Sequence, residues 1–260
     1  MTATVTIEDH IAVITIDRPE AANAIDRVTW EAIGDGLASA DADSDVRVVI
    51  LTGSGDRVFC AGADLKALQR GNLFPEAERF QEWGFAGFVN QVVSVPTIAA
   101  VNGVALGGGT ELTLACDIAV AAEHARFGLP EVKRGIIASA GGAFRLPQQI
   151  PSKLAMELLL TGRAFSAERA HELGLINAVV PSGQALEAAM DIAREIARAA
   201  PLSVRATKRL ATGTQAGARP GEEERWRLAR AERDRILASA DAAEGVAAFA
   251  EKREPQWQAR

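Results

Sequence analysis

Two rhythms of apolar and polar positions run along this chain. Residues 5–7 and 11–16 keep the two-residue period of strands, and Asp9-His10 between them reads as a hairpin turn. Residues 17–24 break the pattern as a loop. Asp26 is placed to cap a helix running to about residue 40, with Val28, Ile33 and Leu37 on its apolar side. The β-branched run at 46–51 predicts a buried strand, followed by a loop at 53–56. Residues 59–62 read as a short strand or turn, and Asp64-Leu65-Lys66 as a helix start. The polar stretch 71–81, with Pro75, is either a lid over a pocket or an exposed connection. A helix is expected over 82–93, ahead of Pro96.

Residues 97–101 predict another buried strand, leading through glycines into a helix. A strand at 118–122, a short extended piece at 125–128 and a turn at 129–132 follow. Helices are expected from about 140 and over 152–160, then a short one at 166–174 capped by Gly174. A strand at 175–180 ends at Pro181. From Leu186 the rhythm is helical throughout: 186–200, 202–210, 222–238 and 242–252, with a hinge-like break at 213–221. Strands mixed with helices, then helices alone, predict an α/β core over 1–185 and a helical region over 186–260.

The chain has 260 residues, 48% of them hydrophobic, enough for a sizeable core, and a formal net charge of −6. That balance argues against nucleic acid or an anionic membrane as the main partner, since either needs a basic face. No uncharged run is long enough to span a bilayer, and the first ten residues lack a signal-type apolar run. Cys60 and Cys116 read as reduced, buried thiols of a cytoplasmic protein. His10, His124 and His171 are scattered and no CxxC occurs, so no metal site is expected.

Candidate chemistry concentrates at residues 102–117, where Gly107-Gly108-Gly109 stands between a strand and a helix. The first N–H groups of a helix lack internal partners and carry the positive end of its dipole. Glycines there let a ligand approach the backbone, which makes a donor site for a negative oxygen. Glu111, about one turn past Gly108, would face the same space. The plain alternative is a close strand–helix joint with Glu111 in solvent. Neither the dinucleotide G-x-G-x-x-G spacing nor a P-loop ending is present. Small residues also bare the backbone at Ala61-Gly62-Ala63. Glu131 lies one strand and a turn beyond Glu111, so the two can meet again in space.

These segments together resemble the crotonase superfamily, and within it the enoyl-CoA hydratases. The resemblance rests on Arg18-Pro19 with Asn23-Ala24, on 59–65, on 102–111, on Cys116-Asp117 and on Pro130-Glu131. Ala140-Gly141-Gly142 with Arg145-Leu146, Thr161-Gly162 and 248–253 extend it over essentially the whole chain. It implies a spiral of ββα units with a C-terminal helical trimerisation region, and a homotrimer or dimer of trimers. It implies an acyl-CoA substrate, whose CoA is no separate cofactor. The thioester oxygen would sit between the backbone N–H groups of Ala63 and Gly108, with Glu111 and Glu131 as the catalytic pair. Arg18, Glu20, Ala22, Ala61, Asp64, Leu65, Ser139, Phe249 and Lys252 are the implied substrate and CoA contacts, with Phe249 and Lys252 closing the nucleotide end.

The implied reaction is reversible syn addition of water to a 2-trans-enoyl-CoA, giving a 3-hydroxyacyl-CoA, in fatty-acid or related acyl-CoA metabolism. Retention of both glutamates favours hydration over double-bond isomerisation, which needs one. Two departures bear on the substrate. Ser139 stands where the family often has glycine, and residues 251–257 are similar to the ending of carnitinyl-CoA dehydratases. A dehydratase of that kind is the alternative. RNA binding, known for some members of the fold, is disfavoured by the acidic balance, and a silent scaffold by the intact glutamate pair.

Overall fold

The computed structural model describes residues 2–260. Strands β1 (Ala3–Glu8) and β2 (Ile11–Ile16) form the expected hairpin, with Asp9 and His10 both at positive φ, as a tight two-residue turn requires. Helix α1 (Arg27–Ala42) starts at Asp26, whose carboxylate accepts the Thr29 N–H. Its buried face is Thr29, Trp30, Ile33, Gly34, Leu37 and Ala40; Val28 is exposed, not apolar-side as expected. Val28 sits in the first turn, where the core-facing stripe runs through its neighbours Thr29 and Trp30.

Three strand–strand–helix units follow. Strands β3 (Val48–Gly53) and β4 (Val58–Cys60) lead to α2 (Leu65–Gln69), and α3 (Glu78–Trp83) comes after it. Strands β5 (Thr97–Val101) and β6 (Val104–Leu106) lead to α4 (Gly108–Ala115). Strands β7 (Ile118–Ala122) and β8 (Arg126–Gly128) lead to α5 (Gly142–Gln149) and α6 (Ser152–Thr161). In each unit the first strand joins one sheet and the second joins another. With β9 (Phe165–Ser166), α7 (Ala167–Glu172) and β10 (Ala178–Val180), the large sheet runs β1-β2-β3-β5-β7-β10 and the small one β4-β6-β8-β9. All pairings are parallel except β1 with β2 and β8 with β9. This is the α/β spiral of ββα units.

Both faces of the large sheet are covered, which explains the unbroken apolar runs. On β3, Val49 and Leu51 enter the main core while Val48 and Ile50 face a second cluster; on β5, Ala99 and Val101 oppose Ile98 and Ala100 in the same way. The second cluster is closed by Ala189 and Ala193 of α8 (Ala185–Arg198). Each fully buried Val, Leu or Ile stabilises by about 1.5–3 kcal/mol over its exposed state. Helix α9 (Pro201–Thr212), α10 (Pro220–Leu237) and α11 (Ala240–Glu251) complete the chain, and among the described residues no helix is long and apolar enough to cross a membrane.

Two further expectations are corrected. Residues 82–93 are not one helix: α3 ends at Gly84, a 3-10 turn spans Phe85–Gly87, and Ala86 is left-handed. Burial of Phe85, Phe88, Val89 and Val93 against the core, with Gly87 pressed against Gly34 of α1, overrides the helical rhythm. The 97–101 strand does not pass directly into the glycine turn either. Strand β6 intervenes, and its carbonyl at Ala105 accepts the Thr110 hydroxyl, which pins the start of α4.

Candidate active site

Helix α4 forms a shelf beside the end of β4. Gly107 has φ of 54° and brings the chain off β6; a side chain there would meet the Glu131 carboxylate, 3.1 Å from a Cβ. A Cβ on Gly108 would enter the Phe85 ring, and one on Gly109 would enter the Cys60 carbonyl. Each glycine is therefore fixed by a different neighbour. Gly62, with φ of 93°, comes so close that a Cβ on it would stand 3.0 Å from the Gly108 nitrogen. The Gly62 N–H donates to Cys60 Sγ at 3.3 Å, and burial pushes that thiol up to about 12.

Around Ala63, the Gly62 carbonyl accepts the Ile25 N–H and the Asp64 N–H donates to the Ile25 carbonyl. The Ala63 N–H between them, and the Gly108 N–H at the start of α4, have no hydrogen-bond acceptor among the described residues. Both residues line a cavity of about 560 Å³ that also holds Glu111 and Glu131. The structure thus brings together the two bare-backbone sites and the two glutamates.

The carboxyls are buried and unequal. Burial pushes Glu111 up, while the N–H groups of Gly142 and Ala140 and the Arg145 charge pull it back; the Gly142 N–H lies 2.9 Å from Oε1. Glu131 is pushed up by burial and then by the charge of Glu111, against only its own backbone N–H. Its Oε2 is buried with no partner among the described residues. Both carboxyls are thus held above their ordinary range by burial, and Glu111 has hydrogen-bond support for its ionised form that Glu131 Oε2 lacks.

Of the other implied contacts, Ala22, Ala61, Asp64, Leu65, Ser139 and Phe249 line the cavity. The Ala22 carbonyl accepts the Ala61 N–H at 3.2 Å, which joins the first loop to β4. Arg18, Glu20 and Lys252 do not line it. Arg18 is committed to structure: it donates to the Ala24 carbonyl at 2.5 Å and pairs with Asp26 at 3.2 Å and Asp64 at 3.3 Å. Glu20 is exposed in a 3-10 turn, and Lys252 ends α11 with φ of 56°. The cations that border the cavity are Lys66, Arg134, Arg230 and Arg233, and Arg134 stacks 4.2 Å from the Phe249 ring centroid. The sequence carried no signal for Arg134, Arg230 or Arg233, which sit in charge-rich stretches. Nor did it mark Phe85 and Trp226 as cavity walls; Trp226 read as a core or subunit-contact position of the helical region.

The polar segment 71–81 supplies Leu73, Phe74, Phe80 and Gln81 to the cavity, with Phe74 edge-on to Trp30 at 6.0 Å. It is a wall, and Trp226, Ile236 and Leu237 of α10 in the same chain line the same cavity.

The model of the enoyl-CoA hydratase/isomerase family matches residues 6–260. The chain belongs to this family. A carnitinyl-CoA dehydratase from Salmonella arizonae is 43% identical over 249 residues, 94% of this chain and 93% of that protein. The crystal structure of a carnitinyl-CoA hydratase from Mycobacterium avium superposes with a TM-score of 0.97 at 52% identity, over 100% of this chain and 99% of that one. An enoyl-CoA hydratase from Mycobacterium tuberculosis gives a TM-score of 0.76 at 44% identity, with the same coverage. For this crotonase-family chain, the spiral agrees with the fold of those relatives.

Proposed function

We propose that this protein is a hydro-lyase acting on acyl-CoA thioesters, interconverting a 2-trans-enoyl-CoA and a 3-hydroxyacyl-CoA. The observation that carries this reading is the pair of unpaired N–H groups, at Ala63 and Gly108, beside two buried glutamates in unequal surroundings. In hydration, water gives a proton to the Glu111 carboxylate as its oxygen bonds to Cβ. The Cα=Cβ electrons move toward the thioester, whose oxygen gains negative charge between the two N–H groups. The Glu131 carboxyl then delivers its proton to Cα. Both carboxyls act from one side, so addition is syn. One such N–H donor is worth about 3–4 kcal/mol in the transition state, and each proton transfer about 10²–10⁴-fold. Dehydration reverses every step. No electrons are exchanged with a cofactor, and none is required.

The cavity walls of Phe74, Phe85 and Trp226 would take the acyl group, and the mouth with Lys66, Arg134 and Phe249 would take the CoA phosphates and adenine. A carnitinyl-CoA dehydratase is the finer reading, favoured by the TM-score of 0.97 to the carnitinyl-CoA hydratase against 0.76 to an enoyl-CoA hydratase. Ser139, on the cavity lining, offers a hydroxyl to a substituted acyl chain. The deciding experiment compares kcat/KM for crotonyl-CoA and its 4-trimethylammonio derivative, followed at the conjugated-thioester absorbance. Preference for the charged substrate supports the finer reading. Turnover of neither, nor of longer enoyl-CoAs, overturns the hydro-lyase assignment.

The same reading includes a cytoplasmic homotrimer or dimer of trimers built on the helical region from residue 186. Leu202, Leu210 and Leu228 are exposed on α9 and α10 and available for such contacts. A monomer by light scattering at micromolar concentration would rule the assembly out.

A further inference from the structure

The hydro-lyase reading gives Glu111 its charge state without saying what sustains it. Arg145 lies on α5, one turn past the Gly142 whose N–H holds Glu111. Its backbone N–H closes that turn onto the Gly141 carbonyl at 2.8 Å. Its guanidinium folds back over the same turn, so that a Cβ on Gly141 would stand 3.3 Å from Nη1. The side chain is 3% exposed, which is rare for an arginine and costly unless the charge is used or matched.

Only part of it is matched. Glu222 of α10 accepts from Nε at 3.2 Å and from Nη2 at 2.7 Å, and also from the Trp226 indole N–H at 3.2 Å. Nη1 is buried with no hydrogen-bond partner among the described residues. The guanidinium lies 5.2 Å from the Trp226 ring centroid and 5.6 Å from that of Phe144. Charged and titratable groups around this cluster are Glu111 from α4 with Glu131 facing it across the cavity, Glu222 and the preceding Arg219 from the α10 side, and the Cys116 thiol, with the Asp117–Lys208 pair (2.7 Å) beyond it. A bond shared between Arg145 and Glu222 would also fit a simple clasp holding α10 to α5. A clasp alone gives no reason for the bare Nη1 edge, which lies against Gly141, next in the turn to the Gly142 that donates to Glu111.

We propose that Arg145 is a positioning residue for the reaction, holding Glu111 as the carboxylate that receives the water proton, and that Glu222 of α10 sets how strongly it does so. The arginine acts through space and through the Gly141-Gly142 turn; it touches no reacting atom. Glu222 draws its charge away from Glu111 and at the same time fastens the helix that walls the acyl pocket. The assembled α10 wall and the ionised base are therefore linked through one side chain.

This inference rests on the hydro-lyase reading for its kinetic readout, and a second readout is independent of turnover. The acidic limb of kcat/KM against pH reports the free enzyme's base. In R145Q it should move up by about one unit, the size expected for losing a neighbouring opposite charge. In R145K, which keeps the charge and loses the fork, it should stay near the wild-type position. In E222Q, which frees the arginine from its counter-charge, it should move down. The protonated-carboxyl infrared band, assigned by its loss in E111Q, should titrate with the same three displacements whatever the substrate proves to be. Limbs or bands that stay put in all three variants, or move the same way in R145Q and E222Q, overturn the proposal and leave a clasp. If R145Q does not fold, the downward shift in E222Q decides alone: its absence overturns the proposal. Infrared shifts without turnover of any enoyl-CoA would keep this inference and remove the hydro-lyase reading.

Discussion

Helices α4 and α10 both border the cavity and are built in opposite ways. On α4, an 8-residue helix, Gly108 through Leu114 are all buried, and the glycines press on Glu131, Phe85 and Cys60. On α10, an 18-residue helix, only Trp226 is buried. Its surface carries ion pairs such as Arg227–Glu224 and Arg235–Glu232, which solvent screens and which hold the helix weakly. The groups proposed to meet the reacting atoms stand where no atom can shift without disturbing the core. The proposed acyl wall hangs on a few side chains, Trp226 and Glu222 first among them. Chemistry needs sub-ångström constancy; substrate fit tolerates an adjustable wall.

Breaking the α4 side should cost most. Glu111→Gln and Glu131→Gln keep shape and remove a proton carrier, so kcat should fall about 10²–10⁴-fold with CoA-ester affinity nearly kept. Calorimetry with acetoacetyl-CoA beside stopped-flow turnover checks both halves; near-normal kcat for Glu131→Gln would point to isomerisation instead. Next comes Gly108→Ala. Its Cβ meets the Phe85 ring, which is itself locked edge-on to Trp30 at 5.2 Å, so the donor N–H must move. A kcat loss of about 10²–10³-fold is expected, the value of one misplaced donor.

The α10 side should answer differently. Trp226→Ala removes the only buried anchor of the helix and its edge-on contact with Phe144 at 4.9 Å. KM for the acyl-CoA should rise about tenfold or more, kcat should change less, and hydrogen exchange should speed up along α10 while α4 stays protected. Equal loosening of both helices would erase the contrast.

A pH experiment sharpens it further. Both glutamates are held above their ordinary values, so the folded protein keeps protons that the unfolded chain releases. Stability must then fall as pH climbs from the usual carboxylate range toward the raised values. Glu131→Gln, which can carry no charge, should melt a few degrees higher than wild type at pH 8 and at nearly the same temperature at pH 5; a constant gap would contradict the buried-acid picture. The smallest expected effect is at the mouth. Arg134→Ala should raise KM for a CoA ester a few-fold, less so at high salt, with kcat kept.

Much of the fold could be read from the chain because the signals are local. The Asp9-His10 turn, the Asp26 cap, the β-branched run ending in Leu51 and the Gly174 stop each depend on a few adjacent residues. The reading failed at 82–93, where apolar spacing looked helical and burial of Phe85 and Val89 against α1 and the core won. It failed at β6 because a three-residue strand is too short to show a period. At the site, Gly107-Gly108-Gly109, Ala63, Glu111 and Glu131 were legible only together and through the crotonase resemblance, since a glycine turn at a strand–helix joint by itself equally serves packing. The charges that border the cavity were not. Arg18 reads as a free cation and is spent on Asp26 and Asp64, while Arg134 reads as one of many surface charges and borders the cavity.

The sequence by itself determined the kind of protein: an α/β spiral of the enoyl-CoA hydratase/isomerase family, whose glycines and paired glutamates resemble that family's in their order. Tertiary structure alone decided that Glu111 and Glu131 differ. Their identity as carboxyls is written in the chain, but the N–H of Gly142, the charge of Arg145 and the empty side of Glu131 Oε2 come from segments up to 34 positions from Glu111, residue 145 against 111. Acid–base character depends on desolvation and field, which are properties of what folds around a group, and no local pattern of residues encodes them.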